Sequence, residues 1–82
     1  MFDVYIIKSE TTGKYYIGQT QDLNKRLIRH NSGQSTFTKD KGPWHLVYNR
    51  KFKTRSEAVN EENRIKKKKS RKYIEYLISS CD

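Results

Sequence analysis

Five polar side chains lie where the surrounding pattern predicts buried or half-buried surfaces, and they are Tyr5, Tyr16, Arg26, His30 and Glu62. Tyrosine hydroxyls and an imidazole can hold and transfer protons, and a guanidinium group can stabilise developing negative charge. A carboxylate can bind a divalent cation. A surface that gathers all five groups has the components for hydrolysis of a phosphodiester bond, in which positioning and electrostatics supply most of the rate.

The first predicted helix carries two of these groups beside its apolar stripe. With Leu23 as the reference on a helical wheel, Leu27 lies at about +40°, His30 at about −20° and Arg26 at about −60°. Polar side chains on a face that should be buried are more informative than those on the surface. A structural interpretation stays open, in which Arg26 extends its charge to solvent and His30 is a hydrogen-bonded core or capping residue.

The second predicted helix places Glu62 within its apolar arc. With Ala58 as the reference, Glu62 lies at about +40°, whereas we expect Glu57 and Glu61 to lie outside the arc. A buried unpaired carboxylate is costly, so Glu62 needs a cationic partner. The sequence allows two partners, which are Lys66 in the favourable Glu-before-Lys order and a divalent metal held partly by water and phosphate oxygens.

The N-terminal segment predicts a β-hairpin that brings the two tyrosines together. Apolar and polar residues alternate on both sides of a turn at 10–13, as in two antiparallel strands. With a four-residue turn, Tyr5 lies opposite Gly18, and Tyr16 is its diagonal neighbour on the same face. Gly18 has no side chain to pack and leaves the space beside Tyr5 open. Tyr15 lies on the other face, where we expect it in the core.

The remaining signals predict one α/β (α+β) domain over residues 1–82, with helices on a small sheet in the order ββαβαα. Asp22 is the predicted N-cap of the first helix, a Thr54–Glu57 capping box opens the second, and Ser70 can cap the third. The predicted strands are 2–8, 14–20 and 44–52, and the predicted helices are 23–31, 54–69 and a short helix after residue 70, with a loop over 33–43.

The charge predicts a polyanionic partner. Eighteen lysines and arginines against nine acidic residues leave a net charge of +9, and residues 50–72 carry eleven basic and three acidic residues. A concentrated field of this kind favours nucleic acid. The candidate phosphate contacts are the helical run Lys66, Lys67, Lys68 and Lys69, and Thr38, Lys39 and Lys41 in the loop. The run is equally typical of a solvated helix end, where lysines favour the helix dipole.

Neither a membrane partner nor a small-molecule cofactor is expected. No apolar run approaches the roughly 20 residues of a membrane helix, and no large apolar face accompanies the lysines. The single cysteine, Cys81, can form no internal disulfide, which suits a reducing compartment and predicts a cytoplasmic protein.

The candidate residues fall within motifs of a known family. DVY (3–5) stands where the family has GIY, YIG (16–18) matches its second motif, and NKRLIRHN (24–31) matches its helix motif. GPWHLVY (42–48) is similar to its third strand, and SEAVNEENRIKK (56–67) to its glutamate-bearing helix. On these motifs, which cover nearly the whole chain, the sequence resembles the GIY-YIG nuclease superfamily, in particular its small single-domain bacterial members.

The resemblance implies a three-stranded antiparallel sheet flanked by helices, and single-metal cleavage of DNA that depends on Mg²⁺ or Mn²⁺. It implies that Tyr5 helps to activate the attacking water, assisted by His30, and that Tyr16 orients water or phosphate. Arg26 would stabilise charge on the scissile phosphate, and Glu62 would hold the metal. An unperturbed tyrosine has a pKa near 10, so Tyr5 needs the metal or Arg26 to lower its pKa before it acts as a base.

Two departures from the family pattern bear on activity. Asp3 replaces the first glycine of GIY, and the asparagine that many catalytic members carry in the C-terminal part has no match except Asn63, beside Glu62. The leading hypothesis is a DNA endonuclease of low sequence specificity, acting on branched or damaged DNA in repair or recombination. The alternative is a nucleic-acid-binding module that keeps the fold without cleavage. A third is an interaction protein whose basic face docks an acidic partner.

Overall fold

Three strands and three helices form the fold in the order ββαβαα. The computed structural model describes residues 1–33, 41–68 and 70–80. The strands are β1 (Phe2–Ser9), β2 (Tyr15–Thr20) and β3 (Trp44–Phe52), and the helices are α1 (Leu23–Asn31), α2 (Arg55–Lys68) and α3 (Arg71–Ser80). The strands pair antiparallel in the order β2-β1-β3. The predicted fold class and order of elements are confirmed.

Side chains at the helix starts satisfy backbone groups as the sequence predicts. The Asp22 carboxylate accepts a backbone N–H of the first turn of α1 at 3.1 Å. Thr54 and Glu57 form the reciprocal capping box of α2, with both backbone N–H groups donating over 3.2 Å. The Ser70 hydroxyl accepts a backbone N–H of α3 at 3.2 Å. These caps fix where each helix begins.

The hairpin of β1 and β2 has the register expected from its turn. Tyr5 lies opposite Gly18, and Ile7 lies opposite Tyr16. Gly13 completes the turn with a φ of +73°, a conformation that glycine adopts without steric cost. Tyr5 and Tyr16 therefore share one face of the sheet.

The two faces of the sheet bury different kinds of side chain. The face toward α1, called the α1 face, buries aromatic with aliphatic side chains, which are Tyr5, Ile7 and Trp44 with Tyr16, Leu23 and Leu27 at the margin. The face toward α2 and α3, called the α2 face, has an aliphatic centre formed by Val4, Ala58 and Ile65. The central strand β1 supplies residues to both, and so links the two halves of the core.

Two sets of hydrogen bonds connect the start of β3 and the residues just before it to the rest of the fold. The Asn31 side chain donates to the Trp44 carbonyl at 3.1 Å and accepts the Trp44 N–H at 2.6 Å. The Ser9 hydroxyl at the end of β1 donates to the carbonyl of Lys41. These contacts tie the end of α1 to the start of β3, and the start of β3 to the hairpin.

One feature of the sheet differs from the prediction, and another was not predicted. Tyr15 is half-buried rather than central, and the Lys8 Nζ and the Arg71 guanidinium lie 5.6 and 5.0 Å from its ring centroid. The reason is that β2 is an edge strand, so its outer end is not covered. The pairing of β1 with β3 shifts register between Ile6 and Ile7, an irregularity that alternation alone does not reveal.

Some predictions concern residues outside the described part of the chain, which are Thr38, Lys39, Lys69 and Cys81 and most of the loop predicted over 33–43. Within residues 1–33, 41–68 and 70–80, no helix combines the length and the apolar character needed to cross a membrane.

Candidate active site

The Tyr5 hydroxyl and the His30 imidazole meet in the interior on the α1 face. Tyr5 is 1% exposed and His30 is 2% exposed, and the hydroxyl oxygen lies 2.9 Å from His30 Nε2. The Tyr16 ring centroid lies 4.9 Å from that of His30 and 6.4 Å from that of Tyr5. These three side chains, from β1, β2 and α1, are called the tyrosine–histidine cluster.

Gly18 provides the space that the Tyr5 ring fills. A Cβ at residue 18 would lie 2.6 Å from the Tyr5 hydroxyl oxygen, 2.8 Å from its Cζ and 3.2 Å from Tyr16 Cε2. The first two distances are too short for non-bonded atoms, and the buried Tyr5 ring cannot move aside without disturbing its contact with His30. The prediction that Gly18 leaves the space beside Tyr5 open is wrong, because the Tyr5 side chain itself fills that space.

Burial keeps the Tyr5 hydroxyl protonated. Desolvation, followed by the electrostatic interaction with Tyr16, raises the pKa of Tyr5 from 10.0 to about 12. Arg26 lowers this pKa through its charge and a side-chain hydrogen bond, and the Glu62 charge raises it. Arg26 therefore acts in the expected direction, but burial outweighs it. The charges of Arg26 and Glu62 thus both act on this hydroxyl, in opposite directions.

His30 is held in its neutral form. Burial lowers the pKa of His30 below 6.5, and the positive charges of Arg26 and Arg29 lower it further. Because Tyr5 keeps its proton and neutral His30 has one ring nitrogen free to accept, the contact is formed with the Tyr5 O–H donating to His30 Nε2.

The Glu62 carboxylate is mostly buried and paired with Lys66. Its side chain is 16% exposed, and Lys66 Nζ lies 2.6 Å from Oε2. The described residues contain no cluster of three or more His, Cys, Asp or Glu side chains able to hold a metal ion. A single carboxylate still suits Mg²⁺ or Mn²⁺, because such cations keep several waters and bind phosphate oxygens of a substrate. Glu62 fits this role once Lys66 leaves the carboxylate.

The adjacent Glu61 departs from the helical-wheel prediction. Its side chain is 10% exposed, and it accepts hydrogen bonds from Arg64 Nε at 2.9 Å and Nη2 at 2.7 Å. Those hydrogen bonds, with the charges of Arg64 and Arg50, lower the pKa of Glu61 against the opposing effect of burial. The prediction that Glu61 lies outside the buried arc is wrong, because two arginines compensate its burial.

The lysines proposed to contact phosphate are exposed to different degrees. Lys66, Lys67 and Lys68 are exposed in the last turn of α2, whereas Lys41 is half-buried. The exposed lysines of α2 are accessible to a ligand, and their contact with phosphate stays a prediction. Lys41 contributes its backbone carbonyl to the Ser9 hydroxyl, so part of its contribution is structural.

Helix α1 carries further basic side chains that the sequence interpretation missed. Lys25 and Arg29 line a cleft of about 220 Å³ together with Arg26, Thr20 and Asp22. A cleft with three cations and one carboxylate attracts phosphate oxygens. The signal in the sequence is the spacing, because Arg29 follows Arg26 by three residues and Lys25 by four, and residues three or four apart are neighbours on a helix.

Comparison with known proteins agrees with this geometry. A family model described as the GIY-YIG catalytic domain matches residues 1–74. The chain belongs to the GIY-YIG family. The match includes all of the sheet and all five candidate residues. Membership implies nuclease-type chemistry on a nucleic acid, and GIY-YIG nucleases generally use divalent metals.

Relatives of this GIY-YIG protein are small bacterial proteins. It is 44% identical over 64 residues to UPF0213 proteins of Staphylococcus saprophyticus and of Staphylococcus aureus strain N315, an overlap of 77% of each chain. A solution NMR structure of the UPF0213 protein from Bacillus halodurans is similar with a TM-score of 0.60 and 34% identity, covering 96% of this chain and 84% of that one.

Proposed function

We propose that this GIY-YIG protein is a metal-dependent endonuclease that hydrolyses phosphodiester bonds in DNA. The observation that carries the proposal is the buried hydrogen bond of 2.9 Å between the Tyr5 hydroxyl and His30 Nε2, with Arg26 acting on the same hydroxyl. Apolar residues would stabilise a core at least as well as such polar groups. A reaction that removes a proton from water, in contrast, requires them.

Tyr5 and His30 together accomplish what Tyr5 alone cannot. With a pKa of about 12, Tyr5 is almost fully protonated at neutral pH and is not a base by itself. Neutral His30 takes the Tyr5 proton at Nε2 while the Tyr5 oxygen takes a proton from the attacking water. The hydroxide so formed bonds to phosphorus, the P–O bond to the leaving strand end breaks, and the leaving oxygen takes a proton from solvent. His30 then gives its extra proton to solvent, which restores the neutral imidazole beside protonated Tyr5.

The other three groups act on charge and orientation. Arg26 stabilises the negative charge that develops on the phosphate oxygens, and Tyr16 orients the water or the phosphate. Glu62 is the residue that would hold Mg²⁺ or Mn²⁺. When bound, that cation supplies Lewis-acid stabilisation of the scissile phosphate.

The charge of the chain supports DNA as the substrate and low sequence specificity. The net charge is +9, and lysine contacts to phosphates position a duplex without distinguishing its bases. Branched or damaged DNA, encountered during repair or recombination in the cytoplasm, is the substrate class we propose.

Cleavage of supercoiled and branched DNA, with and without Mg²⁺ or Mn²⁺, tests the proposal. Tyr5→Phe should slow cleavage by about 10²- to 10⁴-fold, the usual contribution of general acid–base catalysis, and Glu62→Gln should abolish the metal-dependent rate. Tyr76→Phe is the matched control, because Tyr76 is exposed on α3. Wild-type cleavage no faster than that of Tyr5→Phe and Glu62→Gln would exclude an enzyme.

Nucleic-acid binding without cleavage is the second candidate function. Two observations favour it: Lys66 occupies the carboxylate that a metal needs, at 2.6 Å, and Asn63 is the only asparagine after Glu62. DNA binding that weakens steeply with salt, survives both substitutions and is accompanied by no cleavage would establish this function. Indifference to DNA at low salt would instead indicate a protein partner.

A further inference from the structure

Lys66 lies between the Glu62 carboxylate and a cationic cleft. Its Nζ is 2.6 Å from Glu62 Oε2, and its side chain is 50% exposed. The same side chain lines a cleft of about 350 Å³ between β2, α2 and the start of α3. Because a lysine has a flexible four-carbon stem, Lys66 can turn from the carboxylate to a ligand in the cleft while the backbone stays in place.

The cleft is positively charged over an apolar floor. Its polar lining consists of Lys14, Tyr15, Lys66, Ser70 and Arg71, and its apolar lining of Ile17, Ile65 and Ile74. Among the described residues that line it there is no carboxylate. Arg71 pairs with Glu75 through Nε at 3.4 Å, and its guanidinium lies 5.0 Å from the Tyr15 ring centroid. Three cations and two hydroxyl groups suit one phosphate of a nucleic-acid backbone.

A divalent cation and the Lys66 ammonium compete for Glu62. Two cations on one carboxylate repel each other strongly at such short separations, all the more where water is partly excluded. Without a metal, the mostly buried Glu62 charge needs Lys66, because an unpaired buried carboxylate is costly. A phosphate in the cleft offers Lys66 a second anion, and so lowers the cost of leaving Glu62.

We infer that Lys66 couples DNA binding to metal binding: a backbone phosphate in the cleft draws the Lys66 ammonium from Glu62, and the freed carboxylate binds the divalent cation. The inference rests on the proposed function and adds its regulation. Without DNA, the ion pair keeps the site closed to metal. The coupling is reciprocal, so the phosphate tightens metal binding by the same factor by which the metal tightens phosphate binding.

Mn²⁺ affinity of the whole chain without DNA is the first measurement. Lys66→Met should bind Mn²⁺ at least about fivefold more tightly than wild type, the lower end of ordinary coupling factors. Lys72→Met removes the same charge from an exposed side chain on α3 and should bind as wild type does. Lys66→Arg keeps a counter-ion and should also resemble wild type, and Glu62→Gln should lose Mn²⁺ binding. Equal affinities of wild type and Lys66→Met, or an equal gain in Lys72→Met, would overturn the coupling.

Mn²⁺ affinity in the presence of a short DNA duplex is the second measurement, made in a Tyr5→Phe background so that the duplex stays intact. The duplex should tighten Mn²⁺ binding when Lys66 is present and leave it unchanged when Lys66 is methionine. If the wild-type protein cleaves DNA but Mn²⁺ affinity is the same with and without the duplex and in Lys66→Met, the coupling is wrong and the proposed nuclease function still holds. If Lys66→Met gains Mn²⁺ affinity but the wild-type protein cleaves no DNA, the proposed nuclease function is wrong, while the competition between Lys66 and the metal for Glu62 is supported. Failure of every variant to bind Mn²⁺ would overturn both the coupling and the metal dependence.

Discussion

The α1 face and the α2 face are built on the same central strand, yet among the described residues the buried tyrosine–imidazole hydrogen bond lies on the α1 face alone. On the α1 face, Tyr5 contacts His30 at 2.9 Å. At the centre of the α2 face, Val4 packs with Ala58 and Ile65. Buried polar groups are costly unless they are hydrogen-bonded, and the cluster of Val4, Ala58 and Ile65 contains no polar side chain. The difference teaches that stability and the proposed chemistry can be changed separately.

Gly18→Ala should have the largest effect, because it adds a methyl group on the α1 face where the Tyr5 and Tyr16 rings lie close to the backbone. The added methyl group would lie 2.6 Å from the Tyr5 hydroxyl oxygen. We expect a loss of about 1–3 kcal/mol in the free energy of unfolding, typical of overpacking, and about 10²-fold slower cleavage, typical of a catalytic group misplaced by about 1 Å. Urea denaturation and DNA cleavage measure the two effects.

Gly42→Ala is the control for that substitution. A Cβ at residue 42 would meet its nearest neighbour, Asn31 Oδ1, at 3.5 Å, which is an ordinary contact. If Gly18→Ala cleaves DNA as fast as Gly42→Ala does, the close approach of Tyr5 to Gly18 has no part in the reaction.

Val4→Ala should lower stability and leave the cleavage rate unchanged. It removes two buried methyl groups from the α2 face and should cost about 2–3 kcal/mol in the free energy of unfolding, including the cavity it leaves. Far below its melting temperature, the folded variant should cleave DNA at the wild-type rate. A slower rate in protein shown by circular dichroism to be folded would contradict the division between the faces.

The pH dependence of stability should show the smallest effect, and it belongs to the α1 face. The pKa of His30 is below 6.5 in the folded protein, chiefly because of burial. As pH falls through 6.5, the unfolded chain takes up the proton first, so the free energy of unfolding should decrease between about pH 7.5 and about pH 5.5. Urea denaturation at both values measures the decrease.

His30→Gln keeps an acceptor for the Tyr5 hydroxyl but does not titrate, so the decrease over that window should disappear. Glu61, whose pKa is lowered from 4.5 mainly by hydrogen bonds from Arg64, contributes stability that is lost only as pH falls below 4.5. An unchanged decrease in His30→Gln would assign the pH dependence to another group.

Most of the fold and the position of Tyr5 beside Tyr16 and Gly18 could be predicted, because local signals determine them. Asp22 and the Thr54–Glu57 box fix the starts of two helices. The length of the first turn fixes the register that pairs Tyr5 with Gly18. In both cases a short segment contains all the atoms that decide the outcome, so no knowledge of the rest of the chain is needed.

The errors concern properties that distant residues decide. Burial of Glu61 depends on Arg64 and on Arg50, which lies on a different strand. The half-burial of Tyr15 depends on β2 being an edge strand with Arg71 beside it. The raised pKa of Tyr5 depends on how closely the whole α1 face excludes water. A helical wheel or an alternating pattern contains none of this information.

The hydrogen bonds of Asn31 with Trp44 have a consequence for how the site is assembled. Asn31 directly follows His30, so these two bonds hold the end of α1 against β3 and, with it, the imidazole against Tyr5. The position of a group in the tyrosine–histidine cluster thus depends on a neighbour that takes no part in the proposed reaction.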